Sequence, residues 1–213
     1  RACVVRRSGS RGGVAGESRG SRGGVATLAR VSAGTIDDVR AGSRVLCFGA
    51  TGSGKSTLAA ALAERLGLPL VLVDDLCWDP GWVQPPRDEL DRRILPVLER
   101  DAYVLDSVYG IHNRLALERV DVIVALDYPR PTSFVRLLRR SARRIRTREA
   151  VCNGNVETLR RTLAGDSILW WHIRSWRSKR ERIRRWHADP AAPPVLVLAR
   201  PRDADALLSQ LAT

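Results

Sequence analysis

The stretch Gly49-Ala50-Thr51-Gly52-Ser53-Gly54-Lys55-Ser56 decides the fold. It fills every fixed position of G-x-x-x-x-G-K-[ST], the phosphate-binding P-loop pattern. The apolar run Arg44–Phe48 before it reads as a buried strand, and Lys55–Leu66 after it reads as a helix closed by Gly67. Glycines open backbone dihedrals closed to other residues, so successive amide N–H groups can turn inward around phosphate oxygens. The start of the following helix adds the positive end of its dipole. Gly49, Ala50, Thr51, Gly52, Ser53, Gly54, Lys55, Ser56 and Thr57 are therefore the expected nucleotide-binding residues. Lys55 is expected to reach the β- and γ-phosphates of ATP, and the Ser56 hydroxyl to help hold Mg²⁺. Only two lysines occur among the 36 basic residues, and Lys55 is one of them. A compact ammonium stands where the chemistry wants one.

Outward from the loop, Pro69–Val73, Tyr103–Leu105, Val120–Leu126 and Val195–Ala199 are four more short apolar runs. Helical patterns separate them: Arg87–Arg100, interrupted at Pro96, then 131–148, 166–187 and Asp203–Leu211. Five strands alternating with helices imply an α/β fold, a parallel sheet covered on both faces in three layers. Ligands in such sheets gather at the carboxyl ends of the strands. Here those ends carry Gly49, Asp74-Asp75, Asp106 and Asp127. Asp106 is the leading carboxylate for a Mg²⁺ site. Asp127 fits the same pattern of an apolar run followed by Asp, or else it caps a strand or helix.

The chain has 213 residues, 44% apolar and 28% charged, as expected of one soluble domain with some length to spare. No apolar run is long enough to span a membrane. Four scattered cysteines without a C-x-x-C pair argue against a zinc site or a disulfide framework, so a cytoplasmic setting is expected. Residues 1–40 are Gly-, Ser- and Arg-rich and repeat G-S-R-G-G-V-A at Gly9–Ala15 and Gly20–Ala26. They read as a disordered extension, leaving 41–213 as the domain. Residues 136–187 hold 16 basic against 4 acidic side chains, a net +12 within a total of +13. Such a cluster points to an anionic ligand, or to a solvated basic helix.

Beyond the P-loop, the chain carries V-D-D-L-C-W-D-P-G-W at Val73–Trp82, V-L-D-S-V-Y-G at Val104–Gly110 and A-L-D-Y-P-R at Ala125–Arg130. V-C-N-G-N-V-E-T at Val151–Thr158 and D-S-I-L-W-W-H at Asp166–His172 follow. With these blocks the chain resembles small bacterial adenylate-kinase-like P-loop proteins over roughly residues 44 to 211. Relatives carry the names adenylate kinase or DNA topology modulation protein, of the flagellar-regulator type. The resemblance implies the nucleoside-kinase branch of the P-loop fold, with a five-stranded parallel sheet and an Arg-rich helical lid. It also implies departures. Where adenylate kinases have D-G-[FY]-P-R, this chain has Asp106-Ser107-Val108-Tyr109, and residues 83–100 hold no good copy of the AMP-binding segment. The aspartate pair instead resembles the acceptor site of shikimate- and gluconate-type kinases.

In that frame Asp74 and Asp75 are the expected acceptor contacts, one of them, with Asp75 put first, acting as general base. Trp78 and Trp82 either wall the acceptor pocket or pack a loop onto the sheet. Arg87 either grips an anionic acceptor or starts a solvated helix. The region 131–165 is the lid, and Arg140, Arg144 and Arg148 are its candidates for neutralising the transferred phosphoryl group. Asn153-Gly154-Asn155 forms a lid turn or touches ligand. In 166–187 a stripe of Leu169, Ile173, Trp176 and Ile183 is expected to pack the core, leaving Arg177, Lys179, Arg180, Arg182, Arg184 and Arg185 toward solvent. The expected function is Mg²⁺-dependent transfer of the ATP γ-phosphoryl to a nucleotide or small hydroxyl acceptor, by a monomer or weak dimer away from membranes. The alternative is an ATP-binding regulatory or nucleic-acid-associated protein.

Overall fold

Along Val45–Phe48, odd and even residues face opposite ways and both are buried, which only a sheet covered on both sides allows. The computed structural model describes residues 32–110, 112–165 and 167–212. In chain order its elements are α1 (Ile36–Ala41), β1 (Arg44–Gly49), α2 (Lys55–Leu66), β2 (Leu70–Val71), α3 (Val73–Cys77), α4 (Arg87–Leu98) and β3 (Tyr103–Leu105). There follow α5 (His112–Arg119), β4 (Val122–Leu126), α6 (Arg130–Thr147), β5 (Ala150–Val151) and β6 (Asn155–Val156). Last come α7 (Leu159–Leu163), α8 (Ile168–Ala188), β7 (Val195–Leu198) and α9 (Pro201–Leu211). Five strands form a parallel sheet in the order β2-β3-β1-β4-β7, and β5 and β6 make a small antiparallel hairpin.

One face of the sheet buries Val45, Cys47, Val104 and Val124 against Leu58 and Leu62 of α2 and Leu207 of α9. The other buries Leu46, Phe48, Leu105 and Ile123 against Ile94 and Leu98 of α4 and Ile183 and Trp186 of α8. Phe48 meets Trp186 edge-on, with ring centroids 4.7 Å apart. Burial of this kind is worth about 1.5–3 kcal/mol for each large side chain. It fixes the sheet as a rigid floor on which β1, β3 and β4 end side by side.

Several expectations need correction. The second strand stops at Val71, because Val73 already begins α3 and its backbone N–H donates to Asp106 Oδ1 at 2.9 Å. Asp74 and Asp75 therefore occupy the first turn of a short helix rather than a strand end. Helix α4 runs through Pro96 and ends two residues later, at Leu98. Residues 32–40, expected in the extension, belong to the domain: Ala33 bridges Val195, and α1 buries Val39 completely. The expectation for residues 1–31 lies outside the described residues. No helix among the described residues is long and apolar enough to cross a membrane.

Candidate active site

The P-loop turns between β1 and α2 on three glycines that tolerate nothing larger. A Cβ at Gly49 would stand 2.8 Å from the Leu126 carbonyl oxygen. Gly52 has φ +79°, and a Cβ there would stand 2.5 Å from the Ser133 carbonyl oxygen. Gly54 has φ +100° and caps α2 without a side chain, leaving its first N–H groups for a ligand. Thr51 and Ser53 are buried within the loop, and Ser53 Oγ has no partner among the described residues. Ser56 and Thr57 open α2 and are exposed. The Ser56 hydroxyl donates to Asp106 Oδ2 at 2.6 Å. Asp106 itself is buried at the end of β3. Burial raises its pKa, the Ser56 and Val73 bonds lower it, Asp74 raises it and Lys55 lowers it.

Asp127, the rival carboxylate, has another partner: Arg180 pairs with it at 2.7 Å. Ser56 and Asp106 are thus the side chains brought together where a hard cation would sit, an oxygen-only donor set that suits Mg²⁺.

On the far side of Asp106 lies the acidic edge. Asp74 accepts a 2.8 Å hydrogen bond from the Tyr109 hydroxyl, and Tyr109 follows β3 in the Asp106-Ser107-Val108-Tyr109 block. Lys55 is half-buried; desolvation lowers its pKa, Asp106 and then Asp74 pull it back up, and Arg140 pushes it down. Lys55, Asp106, Asp74 and Arg140 consequently share one electrostatic neighbourhood. Asp75 is the outer carboxylate of the pair, its pKa raised by burial and then by Asp74. The carboxylate beside Lys55 is accordingly Asp74, where Asp75 was expected as base.

Trp78 and Trp82 meet edge-on at 6.1 Å. Trp78 packs against the core, and the Trp82 indole N–H donates to the Val156 carbonyl at 3.3 Å, so both serve the loop's packing. Arg161 lies over the Trp82 ring at 5.1 Å. Arg87 is exposed at the start of α4.

The lid helix α6 sends its arginines to different tasks. Arg144 pairs with Glu157 at 2.9 Å. Arg148 is exposed at the end of the helix, in the left-handed conformation. Arg140 makes no hydrogen bond or ion pair among the described residues, and its Nε is buried. Burial lowers its pKa, Arg144 lowers it further, and Glu157 and Asp74 oppose. The lid's tip is tied down. Asn153 Nδ2 donates to the carbonyls of Asp75 and Trp78 at 2.7 and 2.8 Å, and Asn155 Oδ1 accepts from the Trp82 backbone N–H at 2.6 Å. The Asn-Gly-Asn block is therefore the turn that stitches the lid to the acidic edge.

Comparison with protein-family models and with curated sequences finds no match. Solved structures do match. Shikimate kinase from Acinetobacter baumannii, in complex with shikimate, is 16% identical and superposes with a TM-score of 0.50, over 83% of this chain and 94% of that one. A gluconokinase from Sinorhizobium meliloti is 18% identical over 80% and 93% of the two chains, at a TM-score of 0.44. A deoxyadenosine kinase from M. mycoides is 13% identical over 78% and 97%, at 0.42. The fold is one that P-loop kinases share.

Within this fold, α8 is the element that sequence reasoning misread. Its buried face is His172, Ser175, Ile183 and Trp186, whereas Ile173 and the neighbouring Trp170 and Trp171 are exposed. His172 is fully buried, with Nδ1 2.9 Å from the Thr51 carbonyl oxygen of the P-loop. Its ring also stacks at a tilt on Phe134 of α6, 5.4 Å away. Arg182 lies over Phe48 at 5.6 Å, and Trp176 donates to the Tyr128 carbonyl at 3.3 Å. Lys179, Arg180 and Arg182 thus face the strand ends rather than solvent. One signal for Lys179 was available: it is the other lysine in an arginine-rich chain.

Proposed function

We propose that this chain is a Mg²⁺-dependent phosphotransferase that moves the γ-phosphoryl of ATP to a hydroxyl of a small acceptor. The observation that carries the reading is the row Ser56–Asp106–Asp74 beside Lys55: a metal corner and a second, separately held carboxylate either side of one lysine. A protein that only binds or slowly hydrolyses ATP has no need of the second carboxylate.

In this reading the Gly49–Thr57 backbone and the N-terminus of α2 cradle the phosphates, and Lys55 holds the β- and γ-phosphate oxygens. Ser56 and Asp106 would hold Mg²⁺, which would offset the charge of the phosphates. Asp74, fixed by Tyr109, accepts the proton of the acceptor hydroxyl as its oxygen attacks the γ-phosphorus and the bond from that phosphorus to the β,γ-bridging oxygen breaks, releasing ADP. Asp75 hydrogen-bonds the acceptor from the outer side. Arg140, whose buried Nε has no partner among the described residues, neutralises charge on the transferred group, while Arg144 holds the lid through Glu157. The acceptor's class stays open between nucleotides and small hydroxy compounds, and the Asp106-Ser107-Val108-Tyr109 block favours the latter.

The test is transfer of labelled γ-phosphate from ATP, screened over nucleotides, nucleosides, sugars and hydroxy acids. The expected result is one acceptor class that raises ATP turnover by about 10²-fold or more, the scale of general-base and positioning effects. Turnover that no acceptor raises above slow hydrolysis overturns the reading.

A further inference from the structure

A lysine without a partner sits on the inner face of α8. The buried stripe His172, Ser175, Ile183 and Trp186 advances by three or four residues at a time, and Lys179 fills the gap between Ser175 and Ile183. The turns on either side of it are pinned. Upstream, His172 bonds the P-loop carbonyl of Thr51 and Trp176 bonds the carbonyl of Tyr128, just past β4. Downstream, Arg182 lies over Phe48 near the end of β1 and donates to Asn113 Oδ1 of α5 at 3.0 Å. Lys179 is therefore held over the carboxyl ends of the central strands. It makes no hydrogen bond or ion pair among the described residues.

Arg180 and Arg182, its basic neighbours in sequence, each have one: Arg180 takes Asp127 and Arg182 takes Asn113. The charged and titratable groups facing Lys179 are Lys55 from α2, Asp74 from α3, and Arg182 and His172 from α8 itself. Burial and then Lys55 bring its pKa down from 10.5 to about 7, Asp74 opposing and Arg182 adding to the fall. An ammonium placed among two other cations and one shared carboxylate lacks a counter-charge, and an anionic ligand supplies it.

We propose that Lys179 is a ligand-binding residue of this site, holding an anionic oxygen of the acceptor or of the transferred phosphoryl group beside Asp74. The proposal rests on the phosphotransferase reading and extends it. The empty site keeps Lys179 largely uncharged at mild alkaline pH, and the incoming anion restores its proton. Binding is then coupled to proton uptake.

The chain's two lysines make the test direct. Full-length protein labelled with ¹³C-lysine gives two sets of side-chain Cε–Hε signals, assigned by the loss of one in Lys179→Arg. The pH titration of each is followed in protein loaded with Mg-ADP, without further anion, with inorganic phosphate and with acetate. The expected Lys179 midpoint is near 7 in protein without nucleotide, and the Mg-ADP state is the reference for the added anions. An added anion moves it up by about one pH unit or more, a tenfold gain in proton affinity. Movement with phosphate alone assigns the lysine to phosphoryl oxygens, and movement with acetate as well assigns it to an acceptor carboxylate. A midpoint that neither anion moves overturns the proposal. The Lys55 signal separates the two levels: if it ignores Mg-ADP, the P-loop reading fails, and if it responds while Lys179 stays still, only the proposal fails.

Discussion

Asp106 shows how one side chain is placed against its own preference. Its carboxylate is buried, which favours the protonated form, yet it accepts from the Ser56 hydroxyl and the Val73 amide, both of which favour the charged one. Burial wins, so its folded pKa lies above the ordinary value of 3.8. A carboxylate with a raised pKa contributes stability when protonated and loses it as pH rises through the folded pKa. At neutral pH the ionised group is therefore a cost, kept for a cation. Asp106→Asn removes the charge and keeps both bonds: its carbonyl oxygen accepts from Val73, and its amide donates to Ser56 Oγ. Urea unfolding at neutral pH should show stability unchanged or raised by about 1 kcal/mol. Calorimetry should show the strengthening of ATP binding by Mg²⁺ cut by about 10-fold or more, as loss of a charged ligand requires. A variant that keeps the full Mg²⁺ effect would move the metal corner elsewhere.

Among elements, α8 matters most to the site because it is tied to the P-loop by a histidine. The P-loop, its flanking strand and helix, and the strands ending at Asp106 and Asp127 were legible in sequence, since each rests on local signals: glycine spacing, apolar runs, a Gly cap. Helix α3 was not, because five residues carry no helical period, and neither was the β5–β6 hairpin, whose strands have two residues each. The inner face of α8 was missed for a different reason. Two of its buried residues are polar, His172 and Ser175, each bonded to a backbone carbonyl, while Trp170, Trp171 and Ile173 lie outward. Apolar periodicity cannot find a face whose contacts are hydrogen bonds.

That face has a pH signature. Burial lowers the His172 pKa below 6.5, its bond to Thr51 raises it, and Arg130 and Lys179 lower it. As pH falls below 6.5 the unfolded chain takes up a proton first, so this group costs stability progressively until the folded pKa is reached, and nothing above 6.5. His172→Asn does not titrate, and its amide can still donate to Thr51. The wild type should therefore lose more stability than His172→Asn between pH 7 and pH 5, measured by urea unfolding at each pH. Parallel losses in the two proteins would mean that His172 is not the titrating group.

At the scale of the molecule, the sheet separates a binding end from a supporting edge. The P-loop, Asp106 and Asp127 lie at the carboxyl ends of β1, β3 and β4, Asp74 and Asp75 on α3 just past β2, and Arg140 and Arg144 on α6. The β7 edge does other work. Ser32 and Gly34 bracket β7, with Val195 N–H donating to the Ser32 carbonyl at 2.8 Å and Gly34 N–H donating to the Val195 carbonyl at 3.0 Å. The Thr35 capping box then starts α1, which sinks Val39 into the core beneath α2 and α9. An open sheet edge invites further pairing, and this segment covers it. Composition put the segment in the tail because only two apolar residues in α1, Ile36 and Val39, meet the core.

The consequence is testable with two starting points, residue 32 and residue 43. The longer chain keeps the Val39 side chain, worth about 1.5–3 kcal/mol, and the edge hydrogen bonds, worth about 1 kcal/mol each. Removing both should cost at least about 3 kcal/mol, which for a domain of this size lowers Tm by roughly 6–12 °C. ATP affinity measured well below the melting range should be equal in the two, since no residue of 32–42 reaches the strand ends. Melting points within about 1 °C of each other would show α1 to be packing without supporting, and a loss of ATP affinity in the folded shorter chain would show that the edge and the site are coupled.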